Sequence, residues 1–174
     1  MKAVFLDRDG TVIVDPPDLR VDSMAKIHLF PDSLEALKLL ATLDFGVIEI
    51  TNQVGIAEGR LNEIEFSRIN NKVLDLLRSS GIKILKTYMC PHAPQDNCAC
   101  RKPKPKMLLD AAKDFGIDLS GSYTIGDRES DILAGVNAGT KTILVQTGNT
   151  PVVSKEATYT ARDLLEAVRY IASH

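Results

Sequence analysis

The sequence lacks a long hydrophobic run. No stretch of its 174 residues approaches the roughly 20 consecutive apolar residues of a membrane-spanning helix, which excludes such a helix by length. It also lacks a charge excess, because its formal net charge is −2. This excludes a general electrostatic attraction to nucleic acid or to an anionic membrane. The N-terminus has no signal-peptide layout and enters a strand pattern directly, so we expect a cytoplasmic protein.

Other absences limit the architecture. There is no internal repeat, low-complexity tract or second-domain boundary, so residues 1–174 are expected to form a single domain. The G-x-G-x-x-G spacing of dinucleotide-binding loops is missing around Gly55 and Gly59. The connections leave no room for a large inserted cap domain. We therefore expect a minimal cap or none, and an open site unless residues 15–30 and the cysteine-rich loop cover it.

Strand-like and helix-like patterns alternate along the chain. Short apolar runs predict strands, and apolar residues spaced three or four positions apart predict the helices between them. This alternation predicts a Rossmann-like, doubly wound α/β fold with a parallel sheet flanked by helices. The predicted strands cover residues 3–6, 45–50, 82–89, 122–125 and 142–145. The first predicted helix begins at 31–33, and the others cover about 62–80, 106–115, 130–137 and 161–172.

Two carboxylates follow the first predicted strand. Asp7 and Asp9 belong to the segment DRDGT, at the strand end where open parallel sheets bind ligands. Because strand side chains alternate, both carboxylates should point the same way. Two like charges so close need a cation between them, and Mg²⁺ is the natural oxygen-seeking candidate. A simple turn is the alternative for this motif alone, since Asp and Gly are common turn residues.

Polar residues at later strand ends favour a ligand site. A hydroxyl, an amide, an ammonium and a carboxylate occur after the second strand, after the cysteine-rich loop and after the fourth strand, at Thr51, Asn52, Lys102 and Asp127. The carboxyl ends of parallel strands meet at one edge of the sheet, so these groups are predicted to converge on the first motif. Together they form a chemically coherent set for a nucleophile, a proton donor and a metal.

All three cysteines lie within one eleven-residue window. An odd number of cysteines so close together argues against a disulfide framework and for metal binding in a reducing compartment. With one histidine they form the pattern C-x-H-x5-C-x-C, a complete tetrahedral ligand set for Zn²⁺. The predicted ligands are Cys90, His92, Cys98 and Cys100. No ligand position stays open for water, so we predict a structural zinc that staples the loop over residues 90–106 and positions the two basic residues after Cys100.

The succession of DxDGT, a strand ending in TN, a lysine and GDxxxD resembles the haloacid dehalogenase superfamily over nearly the whole chain. The resemblance implies an Mg²⁺-dependent hydrolase of a small phosphate monoester. It implies Asp7 as a nucleophile that forms an aspartyl-phosphate, and Asp9 as general acid and then general base. Thr51 and Lys102 would contact the phosphoryl group. Mg²⁺ would be held by Asp7, the Asp9 backbone carbonyl and Asp127.

Several nearby residues have less specific predicted roles. Asp131 either supports the magnesium site or is simply an acidic residue favoured at a helix N-terminus. Arg128 either faces the substrate or is solvated. Asn52 is predicted to bind substrate. The resemblance implies the same role for Arg101, the arginine of the CRKP segment.

The segment CPHAPQDNCACRKPKP resembles a zinc-bearing branch that contains histidinol-phosphatases and D-glycero-D-manno-heptose 1,7-bisphosphate 7-phosphatases. Three features are similar to the histidinol-phosphatases: the segments PPDLRVDS and SYTIGDR, and the short gap between His92 and Cys98. Three others are more similar to the heptose enzymes: the segments GIAEGR, KMLLDAAK and KTILVQTG. Asp15, Asp18 and Asp22 give an acidic entrance loop, which suits the cationic histidinol phosphate unless the loop is merely solvated. Histidinol phosphate is therefore the first expectation and the heptose bisphosphate the alternative.

Two other classes compete with a phosphatase. A non-catalytic zinc module would explain the Cys/His loop, but it leaves the strand-end carboxylates unexplained. A phosphotransferase or phosphomutase would need a large cap to exclude water. We expect a monomer whose partner is a small phosphate ester, without nucleic-acid or membrane partners.

Overall fold

Six parallel strands form one central sheet. The computed structural model describes residues 1–174. The strands run in the order β3-β2-β1-β4-β5-β6, and every neighbouring pair is parallel. Their bounds are β1 Lys2–Leu6, β2 Phe45–Asn52, β3 Lys86–Cys90, β4 Tyr123–Gly126, β5 Lys141–Val145 and β6 Tyr159–Ala161. The doubly wound α/β prediction is confirmed.

Six helices cover the two faces of the sheet: α1 Ser33–Ala41, α2 Val54–Ala57, α3 Glu63–Ser79, α4 Lys106–Phe115, α5 Glu129–Ala138 and α6 Leu164–Ser173. Strand side chains alternate, so β1 contributes Val4 and Leu6 to the core beneath α1, α3 and α6. It contributes Ala3 and Phe5 to the core beneath α4 and α5. Burial on both faces explains why the strands read as continuous apolar runs. None of the helices combines the length and apolar composition needed to cross a bilayer.

Two predicted boundaries differ from the structure. The third strand begins at Lys86 rather than at residue 82, because Ile82 still belongs to the turn after α3 and donates its N–H to the Leu77 carbonyl at 3.0 Å. The last helix begins at Leu164 because the preceding residues pair with β5 as β6. The three-residue strand β6 was not predicted, since so short a segment carries no readable periodicity.

The strand order reverses beside β1. The chain moves outward from β1 through β2 to β3 and then returns to the other side of β1 for β4. The carboxyl ends of β1 and β4 therefore flank a switch point, where open α/β sheets bind ligands. No cap domain is inserted here. The long segment between β1 and α1 contains one short 3-10 turn, Met24–Lys26, and Leu19–Asp22 together with Arg101 border the crevice.

Candidate active site

A buried ion pair lies at the switch point. Lys102 Nζ is 2.8 Å from Asp7 Oδ1 and 2.6 Å from Asp131 Oδ1, and it donates to the Ile50 carbonyl at 3.1 Å. Burial alone would lower the pKa of Lys102, but the charges of Asp131 and Asp7 outweigh it and raise the pKa above its usual value. Lys102 is therefore held as an ammonium between two carboxylates, ninety-five residues from Asp7 in the chain.

Three carboxylates share this pocket. Oxygen atoms of Asp7, Asp127 and Asp131 all lie within 4.8 Å of one another. Burial raises the pKa of Asp7 well above its usual value; Lys102 opposes this shift, and Asp131 and Asp127 add to it. Burial and the charge of Asp131 raise the pKa of Asp127 to about 6. One ammonium does not offset three buried carboxylates, and a set of hard oxygen donors with surplus negative charge fits Mg²⁺.

Asp131 lies at a helix N-terminus and beside the acidic cluster. It lies in the first turn of α5, where its Oδ2 accepts the Arg128 backbone N–H at 3.0 Å, as an acidic residue at a helix N-terminus does. Its other oxygen faces Lys102. The helix end therefore fixes the carboxylate that completes the acidic cluster.

Glycines create the space that the acidic cluster occupies. A Cβ at Gly10 would lie 2.6 Å from Asp127 Oδ2, and Gly10 has a φ of +80° that favours glycine. A Cβ at Gly148 would collide with Asp127, and one at Gly126 would collide with Asp131. The backbone at these three glycines therefore approaches the carboxylates more closely than a residue with a Cβ would allow.

We expect Gly148→Ala to lower kcat roughly 10- to 100-fold, because the new methyl group must displace Asp127, and small displacements of reacting groups have effects of this size. Initial-rate kinetics on a phosphate monoester would measure it. The matched control is Thr150→Ala, an exposed position in the same loop, which should leave kcat unchanged. Equal kcat for the two variants would contradict the packing argument.

Asp9 is held from two sides. Arg8 Nε and Nη2 donate to its carboxylate at 3.0–3.2 Å, and Gln53 Nε2 donates to Asp9 Oδ2 at 2.8 Å. The same amide group donates to Thr51 Oγ1 at 2.8 Å. Sequence reasoning missed Gln53 and Arg8. The only available signal was their position next to predicted site residues.

The remaining predicted site residues differ in their exposure to the crevice. Asn52, Arg101 and Arg128 line it, whereas Thr51 is fully buried and does not. The Asn52 amide accepts the Lys102 N–H at 3.1 Å and donates to the Lys102 carbonyl at 3.3 Å. Asn52 is therefore engaged in holding the lysine backbone. Arg101 donates to the His92 carbonyl at 3.1 Å, which ties it to the Cys/His loop.

The predicted acidic entrance is largely neutralised. Asp15 is buried and accepts from Arg128 Nη2 at 2.9 Å, and Asp18 pairs with Lys26 at 2.6 Å. Neither carboxylate lines the crevice, although both were predicted to bind substrate. Asp22, which does line it, also pairs with Lys26, at 2.9 Å. The crevice is lined by four cationic side chains, Arg20, Arg101, Lys102 and Arg128, and by four carboxylates, Asp7, Asp9, Asp22 and Asp131.

The Cys/His side chains of the loop after β3 converge. Cys90 Sγ is 3.6 Å from Cys98 Sγ and 3.1 Å from Cys100 Sγ, and His92 Nδ1 is 3.3 Å from Cys100 Sγ. No disulfide links the three cysteines. Four ligands around Zn²⁺, with Zn–S near 2.3 Å, would be about 3.5–3.8 Å apart. The four donors therefore fit a tetrahedral zinc ion after small adjustments.

Comparisons with known proteins agree with this geometry. A family model described as HAD-hydrolase-like matches residues 99–167. The D-glycero-beta-D-manno-heptose-1,7-bisphosphate 7-phosphatase of Helicobacter pylori strain J99 is 39% identical over 98% of this chain and 97% of its own length. A Bordetella bronchiseptica D,D-heptose 1,7-bisphosphate phosphatase, crystallised with magnesium and phosphate, is superimposed with a TM-score of 0.91 at 34% identity over 99% of both chains.

A histidine-biosynthesis relative matches less of its own length. The bifunctional protein HisB of Campylobacter jejuni is 38% identical over 80% of this chain but only 40% of its own length. Fold, site and relatives together define the chain as a phosphatase. It belongs to the haloacid dehalogenase superfamily, as the sequence motifs predicted. The relatives matched over nearly their whole length are named for the heptose bisphosphate, which was the alternative expectation, whereas the histidinol phosphate expectation has only partial matches such as HisB.

Proposed function

We propose that this phosphatase removes the 7-phosphate of a heptose 1,7-bisphosphate through an aspartyl-phosphate on Asp7. The observation that carries the mechanism is the buried Asp7–Lys102 pair beside two further carboxylates at the switch point. A carboxylate attacks a phosphate dianion readily only where cations cancel the repulsion between them. Lys102 supplies one such cation, and the oxygen-rich cluster has the donors for a second.

The chemistry divides between two aspartates. Asp7 attacks phosphorus, the ester P–O bond breaks, and the departing oxygen takes the proton of the Asp9 carboxyl group. In the second step a water molecule gives its proton to the Asp9 carboxylate and attacks the same phosphorus. The bond between phosphorus and Asp7 then breaks, and inorganic phosphate leaves. Both aspartates return to their initial state, so the net reaction is hydrolysis of one ester bond.

Asp7, Asp127 and the backbone carbonyl of Asp9 are the proposed magnesium ligands, with Asp131 held against the cluster by Lys102. Bound there, Mg²⁺ would neutralise phosphoryl and carboxylate charge and favour in-line attack. The surplus of buried negative charge supports this assignment, because three carboxylates face one buried ammonium, Lys102, and the half-exposed Arg128, which lies 3.7 Å from Asp127 but also pairs with Asp15.

We also propose a structural zinc on Cys90, His92, Cys98 and Cys100. The loop has little apolar core of its own, and Arg101 and Lys102 follow its last ligand directly. A closed four-ligand site would fix where these two cations sit relative to Asp7. In this proposal zinc contributes by positioning and takes no part in the reaction.

The charges of the crevice support a doubly phosphorylated substrate. Arg20 donates from Nη2 to both Glu58 oxygens at 3.0–3.1 Å, while its Nε is buried without a partner. Arg20, Arg101 and Arg128 border the same crevice. Arg101 pairs with no carboxylate and donates to the His92 carbonyl, so its charge would attract a second phosphate and repel a cationic substrate such as histidinol phosphate.

A substrate panel tests the proposal. With Mg²⁺ present, we expect kcat/KM for D-glycero-D-manno-heptose 1,7-bisphosphate to exceed that for histidinol phosphate by roughly 100-fold, the scale of a few complementary charged contacts. Arg20→Ala should lower kcat/KM for the bisphosphate about 10-fold and should not lower the value for histidinol phosphate, because a cationic substrate gains nothing from this arginine. The control is Arg60→Ala, since Arg60 also pairs with Glu58 but is exposed and outside the crevice. Faster turnover of histidinol phosphate would refute the heptose assignment.

A further inference from the structure

A hydrogen-bonded network of buried polar side chains begins behind Asp9. The Arg8 side chain is completely buried, although arginine is seldom buried without a partner. Its Nε and Nη2 hold both oxygens of the Asp9 carboxylate. Its Nη1 points away from the crevice and donates to Asn70 Oδ1 of α3 at 3.1 Å.

The Asn70 side-chain amide can accept a hydrogen bond from Arg8 in only one of its two orientations. Its Nδ2 donates to Glu49 Oε1 at 2.8 Å and to Thr87 Oγ1 at 3.1 Å. The Thr87 hydroxyl donates to Glu49 Oε1 at 3.0 Å. Two acceptors on the β2 and β3 side therefore keep the Asn70 nitrogen away from Arg8 and turn its oxygen toward the guanidinium.

Nearby carboxylates compensate the charge of the Arg8 guanidinium. The guanidinium lies between two carboxylates, Asp9 and Glu49, whose charges both act on it. Its Cζ lies 5.1 Å from the centroid of the Phe66 ring, a distance at which cations and aromatic rings attract. Burying a guanidinium is unfavourable unless its donors and its charge are satisfied. Each of the three guanidinium nitrogens has an acceptor, so the side chain is held in one position behind the Asp9 carboxylate.

We propose that Arg8, anchored by Asn70 and Glu49, is a positioning residue that fixes the Asp9 side chain so that its carboxyl group can transfer a proton to the departing oxygen of the substrate. The inference rests on the proposed function of Asp9. Arg8 does not touch the substrate crevice. It acts through Asp9, whose two oxygens it holds while Gln53 holds one of them from the other side.

The test depends on the leaving group. An alkyl phosphate releases a strongly basic alkoxide that needs a proton, whereas p-nitrophenyl phosphate releases a stable phenolate that does not. The value of kcat/KM covers the steps up to departure of the leaving group, so it isolates this proton transfer. The two esters to compare are p-nitrophenyl phosphate and whichever of the two alkyl phosphates in the substrate panel is turned over faster.

We expect Arg8→Lys to lower kcat/KM for the alkyl ester roughly 30-fold, a part of the 10²–10⁴-fold that general acid catalysis contributes as a whole. The value for the aryl ester should change by less than about threefold, because lysine keeps the charge and loses only the planar fork. Asn70→Ala leaves the arginine in place and releases one anchor, so it should produce the same selective loss at about 10-fold. Asn71→Ala, an exposed neighbour on the same helix, is the control.

Selective loss for the alkyl ester supports the positioning role. Equal losses for both esters, or no loss for either, overturn it and leave the phosphatase proposal intact. A wild-type protein that hydrolyses neither ester overturns both. If circular dichroism shows that Arg8→Lys does not fold, Asn70→Ala tests the positioning role instead, because it changes neither the buried charge nor Asp9.

Discussion

Asp7→Asn is expected to lower kcat/KM for every phosphate ester by on the order of 10⁴-fold or more, the scale seen when a covalent nucleophile is removed. The carboxamide has the same shape but no nucleophilic oxygen anion. Stability should not fall. Burial and neighbouring acidic groups hold the pKa of Asp7 well above its usual value, so the ionised carboxylate is unfavourable in the folded state. Asparagine removes that charge, and the midpoint of thermal unfolding in magnesium-free buffer should be equal or higher.

Steady-state kinetics and thermal melts on the same preparation separate the two effects. Asp44→Asn is the matched control, because Asp44 is exposed and distant from the switch point in the fold. It should leave both kcat/KM and the unfolding midpoint unchanged. Substantial turnover by Asp7→Asn, with a normal melt, would rule out the aspartyl-phosphate.

Removing the zinc ligands should have the second-largest effect. We expect the double variant Cys98→Ser/Cys100→Ser to lose bound zinc and to unfold at least about 10 °C lower, since structural zinc contributes several kcal/mol and each kcal/mol shifts the midpoint by about 2–4 °C at this chain length. Activity should fall with it, because Arg101 and Lys102 follow Cys100 directly and depend on the loop for their position.

Elemental analysis and differential scanning calorimetry measure these two effects. Gln95→Ala changes an exposed residue of the same loop that is not a ligand, and it should retain zinc, melting temperature and activity. Treating the wild type with a chelator should lower its melting temperature and activity. Added Zn²⁺ should restore both, whereas Mg²⁺ alone should not. Less than about half an equivalent of zinc in wild-type protein purified without chelator would contradict a structural site, given the affinity expected of such sites.

Features that leave a local pattern in the sequence could be predicted from it. The alternation of strands and helices was enough for the parallel sheet, because each helix or strand leaves a local hydrophobic pattern. The four Cys/His side chains were predicted to converge, and they do, since they lie within eleven residues and cannot move far apart. Asp7, Lys102 and Asp127 were predicted to meet because each lies at or beyond a strand end, and parallel strand ends share one edge.

Charge pairing could not be read in the same way. The sequence suggested an acidic entrance from Asp15, Asp18 and Asp22, yet their cationic partners are Arg128 and Lys26. Arg128 is more than one hundred residues from Asp15. Whether a carboxylate is free or neutralised depends on which side chains the fold brings within a few ångströms, and spacing along the chain does not encode that distance.

By itself the sequence determined the doubly wound fold, the superfamily, the acidic and cationic groups at the strand ends and the Cys/His cluster. Only the tertiary structure decided that Arg8 is buried between Asp9 and Glu49, that Gln53 shares its amide between Asp9 and Thr51, and that arginines line the crevice. The reason is physical. Local patterns record which residues form a strand, a helix or a ligand loop, whereas the burial and pairing of a charge arise only when distant segments pack together.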